Sequence, residues 1–79
     1  MKNNNYIYKV FLTVFPDAET RIVKEVYRST SSQKAKMYME VYRAFLNNNS
    51  EANVLGTFYD SKDCLLTIHR YENIDDLPF

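Results

Sequence analysis

From Tyr6 to Phe15 apolar side chains occupy both parities of the chain: Tyr6, Tyr8, Val10, Leu12 and Val14 at even positions, Ile7, Phe11 and Phe15 at odd ones, with Lys9 and Thr13 between them. Successive residues of a strand point to opposite faces. The even set predicts a strand with a core face, and the odd set predicts a second face that is also largely apolar. A chain of 79 residues has room for one domain and one core, so the question is how much of that second face anything covers.

Pro16-Asp17-Ala18-Glu19 has turn chemistry, Pro fixing φ and Asp bonding nearby backbone. β-Branched residues resume at Ile22, Val23 and Val26, which predicts a hairpin. Ile22 and Val26 share one face, Val23 and Tyr27 the other, and a bulge would switch which pair is buried. Next, Thr30 and Gln33 have the spacing of a helical capping box, with Ser31 and Ser32 as alternative caps, and the helix is expected to run to about Leu46. At 100° per residue, Tyr38, Val41, Tyr42, Phe45 and Leu46 form one side and Lys36, Glu40 and Arg43 lie opposite. Asn47-Asn48-Asn49-Ser50 ends it, since Asn tolerates the left-handed conformation. Asn53 to Tyr59 reads as a third strand, in which Gly56, the only glycine, signals a bulge or a close approach. After the polar turn Asp60-Ser61-Lys62-Asp63, a fourth strand sends Cys64, Leu66 and Ile68 one way and Leu65, Thr67, His69 and Tyr71 the other.

The expected fold class is α+β: a ββαββ order forming a four-stranded antiparallel sheet, with one helix packed on the face that carries Val10, Leu12, Val14, Leu66 and Ile68. Tyr38, Val41, Tyr42 and Phe45 are the expected helix side of that core. Residues 1–79 form a single domain with residues 1–5 and 73–79 as loose termini, the tail from Glu72 to Phe79 either packing on the sheet edge or staying free.

Most catalytic chemistry is disfavoured by composition. There is one cysteine and one histidine, Cys64 and His69; five apart on one strand they face opposite sides and do not meet as nucleophile and base. No zinc-ligand array is present, and one glycine does not make a phosphate-cradling loop. The expectation is a non-enzyme with no metal and no cofactor. A single cysteine, the absence of an apolar stretch of membrane-spanning length and the polar start Met1-Lys2-Asn3-Asn4-Asn5 make the cytoplasm the expected address.

Charge leaves two binding readings open. Ten Lys and Arg balance ten Asp and Glu, yet Arg21, Lys24, Arg28, Lys34, Lys36 and Arg43 face only Glu25 and Glu40 in the middle of the chain, whereas the C-terminal part is acidic through Glu51, Asp60, Asp63, Glu72, Asp75 and Asp76. Those six cations are the candidate nucleic-acid contacts. Zero net charge and the lack of RNP-type or zinc-finger spacings argue against that use. Aromatic content, seven Tyr and five Phe, points instead to a protein interface on the face opposite the helix, made by Ile7, Phe11, Phe15, Leu65, His69 and Tyr71, because Tyr- and Phe-rich patches with few charges are typical of interface centres. Such a face closes a homodimer, receives a foreign protein, or lies under the C-terminal tail.

The Asn-rich stretches Asn3-Asn4-Asn5 and Asn47-Asn48-Asn49, the Lys- and Tyr-rich vocabulary, and a hairpin running through Arg28-Ser29-Thr30-Ser31-Ser32-Gln33-Lys34-Ala35-Lys36 into a helix resemble the small proteins of phages and mobile elements, and in layout the compact anti-CRISPR inhibitors. That resemblance implies a phage-type inhibitor acting in the host bacterial cytoplasm, its partner a CRISPR effector or another bacterial complex. The alternative is a small dimeric nucleic-acid-binding or regulatory protein.

Overall fold

The computed structural model describes residues 6–72; the expectations for the two termini, including a tail packed on the sheet, lie outside them. Within that range the order is β1 (Tyr6–Asp17), β2 (Thr20–Ser29), α1 (Ser32–Asn48), β3 (Glu51–Val54), β4 (Thr57–Asp60), a single 3-10 turn at Ser61–Asp63, and β5 (Cys64–Glu72). The α+β class stands, with β1 at the centre of an antiparallel sheet of order β2-β1-β5.

The four-stranded sheet is replaced by a three-stranded sheet and a separate two-stranded one, β3-β4. The reason lies at Leu55 and Gly56, whose φ values are 54° and 86°. Two consecutive left-handed residues make the two-residue turn whose twist suits a β-hairpin, and the Gly56 amide donates to Asn53 Oδ1 at 3.0 Å. The segment expected to be one strand therefore reverses on itself. Leu55 is poorly suited to this conformation, which costs an L-residue roughly 1–2 kcal/mol, and it is 70% exposed, so packing does not compensate. Leu55→Asn is expected to raise stability by about 1 kcal/mol, read as a higher denaturant midpoint; a lower midpoint would contradict the strain assigned to Leu55.

The register of β2 is set by a bulge. Val10 pairs with Tyr27 but Phe11 pairs with Glu25, leaving Val26 as the extra residue. Ile22, opposite Val14, and Tyr27, opposite Val10, thereby share the helix side, while Val23 opposite Thr13 goes to the other side. A second irregularity lies between Val14 and Asp17. β1 continues through Pro16, so the turn is shorter than expected from the sequence. Asp17 closes it, accepting from the Glu19 amide at 2.8 Å and the Thr20 hydroxyl at 3.0 Å. These bonds hold its carboxyl below the usual 3.8, the Glu19 amide contributing most. With the folded value depressed, this contribution to stability is present above the unfolded Asp range and is lost as pH falls through the folded value.

Ser31 caps α1, its Oγ accepting from the Lys34 amide at 3.2 Å, one of the alternatives to Thr30. At the other end Asn49 is extended rather than left-handed; its side-chain amide donates to the Phe45 carbonyl at 2.8 Å and satisfies one of the last-turn oxygens. Val10, Leu12, Val14, Leu66, Ala35, Leu46, Ala52 and Val54 form one buried cluster, with Tyr38, Met39, Tyr42 and Ile68 packed against it.

Here the expected helix face needs correction. Val41 is 68% exposed and Phe45 51%. The sheet-facing stripe is Ala35, Met39, Tyr42 and Leu46, centred about 130° away from Met37, Val41 and Phe45 at 100° per residue. The fully buried Ala35 admits close approach of the helix to the sheet, and Tyr27 on β2 stacks on Tyr38 with centroids 4.4 Å apart and an interplanar angle of 6°.

Candidate protein interface

The sheet face opposite α1 is built from the odd positions of β1. Strand pairing sets them in rows: Thr13 lies between Val23 and Leu65, Phe11 between Glu25 and Thr67, and Lys9 between Arg28 and His69, with Ile7 beside Tyr71. Phe11, Phe15, Leu65, His69 and Tyr71 thus share one surface, together with Val23 and Arg21. They line an open groove of about 390 Å³, floored by Thr13 and Thr67. Ile7, the sixth expected interface residue, lies on the same face beyond the groove's end, opposite Tyr71.

Aromatic contacts run up this face. Phe11 meets His69 edge-on at 5.6 Å, His69 is tilted against Tyr71 at 6.5 Å, and Lys9 Nζ sits 4.9 Å from the Tyr71 ring centre. Exposed apolar area remains: Phe15, Val23, Leu65 and Tyr71 are each about half exposed. Glu25 is tied to Arg28 through Nε at 2.6 Å and Nη2 at 3.2 Å. The Arg28 bond holds the Glu25 carboxyl below its usual value. The charge left on this face is cationic, Lys9 near one end and Arg21 at the other.

The six cations expected to contact nucleic acid do not converge. Arg21 lines the groove. Arg28 is on the same face and is engaged with Glu25. Lys24 is opposite Leu12, hence on the helix side of β2. Lys34 lies in the first turn of α1 near Tyr27 and Met37, and Lys36 and Arg43 flank Glu40, Met39 and Ile68.

Cys64 and His69 are on opposite faces of β5, Cys64 opposite the core residue Val14 and His69 opposite Lys9. Burial pushes the Cys64 thiol up, and the carboxylates of Asp63 and Asp60 push it further. A thiol in that setting is a poor nucleophile at neutral pH. Alkylation of the native chain by iodoacetamide is expected to be slower than that of free cysteine; a faster rate would reopen a chemical role for Cys64. Among the described residues no three His, Cys, Asp or Glu side chains gather as a metal site, and no helix is long and apolar enough to cross a membrane.

Sequence reasoning missed a second surface, the outer face of α1. Tyr38, Val41, Tyr42 and Phe45 line a shallow groove of about 370 Å³, which Lys34 and Met37 extend toward the helix N-terminus. Tyr42 makes edge contacts to both Tyr38 and Phe45. Burial raises the pKa of Tyr38 and Tyr42, so both hydroxyls stay neutral across the physiological range. The signal was the width of the helix's apolar arc, greater than one small sheet covers.

Compared with protein-family models, curated proteins and solved structures, the chain has no significant match.

Proposed function

We propose that the chain is a non-enzymatic binding module whose open sheet face docks on another protein. The observation that carries this reading is the groove itself: Phe11, Phe15, Val23, Leu65 and Tyr71 are gathered on one face, with apolar area left exposed on a chain of 79 residues. Lys9 and Arg21 near its ends and the neutralised Glu25 favour a partner surface with an apolar centre and an acidic rim. The acidic residues Glu51, Asp60 and Asp63 lie on β3, at the end of β4 and in the 3-10 turn, so they take no part in this face. The resemblance to anti-CRISPR inhibitors makes a bacterial defence or nucleic-acid-processing complex the first partner class to test, with the chain blocking one of its surfaces.

A second reading rests on the Phe11–His69–Tyr71 ladder with Lys9 over its end, since stacked aromatics beside cations bind single strands. Among the described residues Arg28 is engaged with Glu25, which leaves Lys9 and Arg21 for phosphates on this face and limits the salt slope to about −1.4 on a log-log plot.

Affinity capture from bacterial lysate, with and without nuclease, separates the two. The protein reading expects a partner that survives nuclease, binds the native chain and is lost with Leu65→Glu. Recovery of nucleic acid alone, or of a protein that Leu65→Glu retains, would overturn it.

A further inference from the structure

We infer that the outer face of α1 is a self-association surface, on which two copies of the chain pair their helices antiparallel about a two-fold axis at Val41. This inference is independent of what the sheet face binds. At 100° per residue, Lys34, Met37, Val41, Phe45 and Asn48 fall within a sector of roughly 80°, and they span about 21 Å at 1.5 Å per residue. Met37, Val41 and Phe45 are all more than half exposed, with the half-buried Tyr38 and Tyr42 alongside.

The stripe is symmetric about its middle. A two-fold axis at Val41 sets residue 41+k of one copy beside 41−k of the other. Met37 then meets Phe45 of the second copy, a thioether against an aromatic ring, Val41 meets itself, and Lys34 meets Asn48. Such an isologous contact uses one patch twice and closes on itself.

Charge selects the second copy as the occupant and antiparallel as the orientation. The helix has no acidic residue in its first turn and no basic residue in its last, and its first turn carries Lys34. Its N-terminal end combines that cation with the positive end of the macrodipole, and its C-terminal end combines the negative end with Glu51 at the start of β3. The charges of each copy oppose its own dipole at the N-terminus and leave the C-terminus uncompensated. Antiparallel pairing brings Lys34 of each copy to the carbonyl end of the other, whereas parallel pairing stacks like ends. Because α1 and the groove lie on opposite sides of the sheet, the dimer leaves both grooves open, facing away from each other.

Sedimentation over a concentration series tests the pairing. The native chain is expected to run at twice the monomer mass, Leu65→Glu to do the same, and Val41→Glu to run as a monomer with an unchanged far-ultraviolet dichroism spectrum. In a Cys64→Ala background, V41C is expected to crosslink to its own copy under mild oxidation. A mixture of K34C and N48C chains is expected to give the mixed crosslink in excess over either self-crosslink. A native chain that stays monomeric at every concentration, a dimer that survives Val41→Glu but is lost in Leu65→Glu, or K34C crosslinking chiefly to itself would each overturn the proposal.

Discussion

Leu12→Ala is expected to destabilise the chain by about 2–5 kcal/mol, whereas Phe45→Ala should cost only about 1 kcal/mol. Leu12 is fully buried at the centre of β1, between Lys24 on β2 and Leu66 on β5, and its side chain lies in the buried core cluster. Truncation removes its transfer free energy and leaves a cavity under α1. For a chain of this length the total stability is on the order of 4–12 kcal/mol, so Leu12→Ala takes a large share of it and is expected to leave a measurable unfolded population. Phe45 has half its surface in water. Denaturant titrations of both variants, at one dilute concentration that keeps the α1 surface unpaired, check the contrast. Equal losses would mean that the helix is rotated toward the arrangement expected from the sequence, with Phe45 in the core.

The second large effect concerns the groove. Leu65→Glu is expected to weaken binding to the captured partner by about 30-fold or more, the range of an interface hot spot, while changing stability little because Leu65 is 50% exposed. The loss comes from desolvating a carboxylate against Thr13 and Phe11 in an apolar contact. Tyr71→Ala should weaken binding less, and Lys36→Ala and Arg43→Ala should leave it unchanged, since their side chains lie on the flank of α1. Titration calorimetry on the purified pair measures all four. A Leu65→Glu variant that binds like the native chain would remove the groove from the interface.

Much of this was legible in the sequence because it depended on parity. The alternation in β1 and β5 assigned Val10, Leu12, Val14 and Leu66 to one face and Phe11, Phe15, Leu65, His69 and Tyr71 to the other, and the strand pairing, with the groove lining for Phe15, keeps both assignments. Parity failed where one residue was inserted. At Val26 the bulge moves Tyr27 to the helix side, a choice the sequence left open between two pairs. At Leu55-Gly56 one expected strand became two, and the glycine was visible but its neighbour hid the turn, because Leu is an unfavourable residue at positive φ. The helix phase was misassigned for a different reason. Apolar residues span well over half of the α1 circumference, so the middle of that arc reads as the buried side, whereas the buried residues are Ala35 and Leu46 at its edge. The second exposed surface was the consequence.

The central claim, that the open sheet face is where a protein partner docks, is tested most directly by titrating the isotopically labelled chain with that partner and following backbone amide signals by nuclear magnetic resonance. The expected result is perturbation concentrated at Phe11, Thr13, Phe15, Val23, Leu65, Thr67 and Tyr71, with the signals of Lys36, Glu40 and Arg43 unmoved. Perturbation confined to the Lys36–Arg43 flank or to the β3-β4 hairpin, with the groove signals unmoved at saturation, would contradict it.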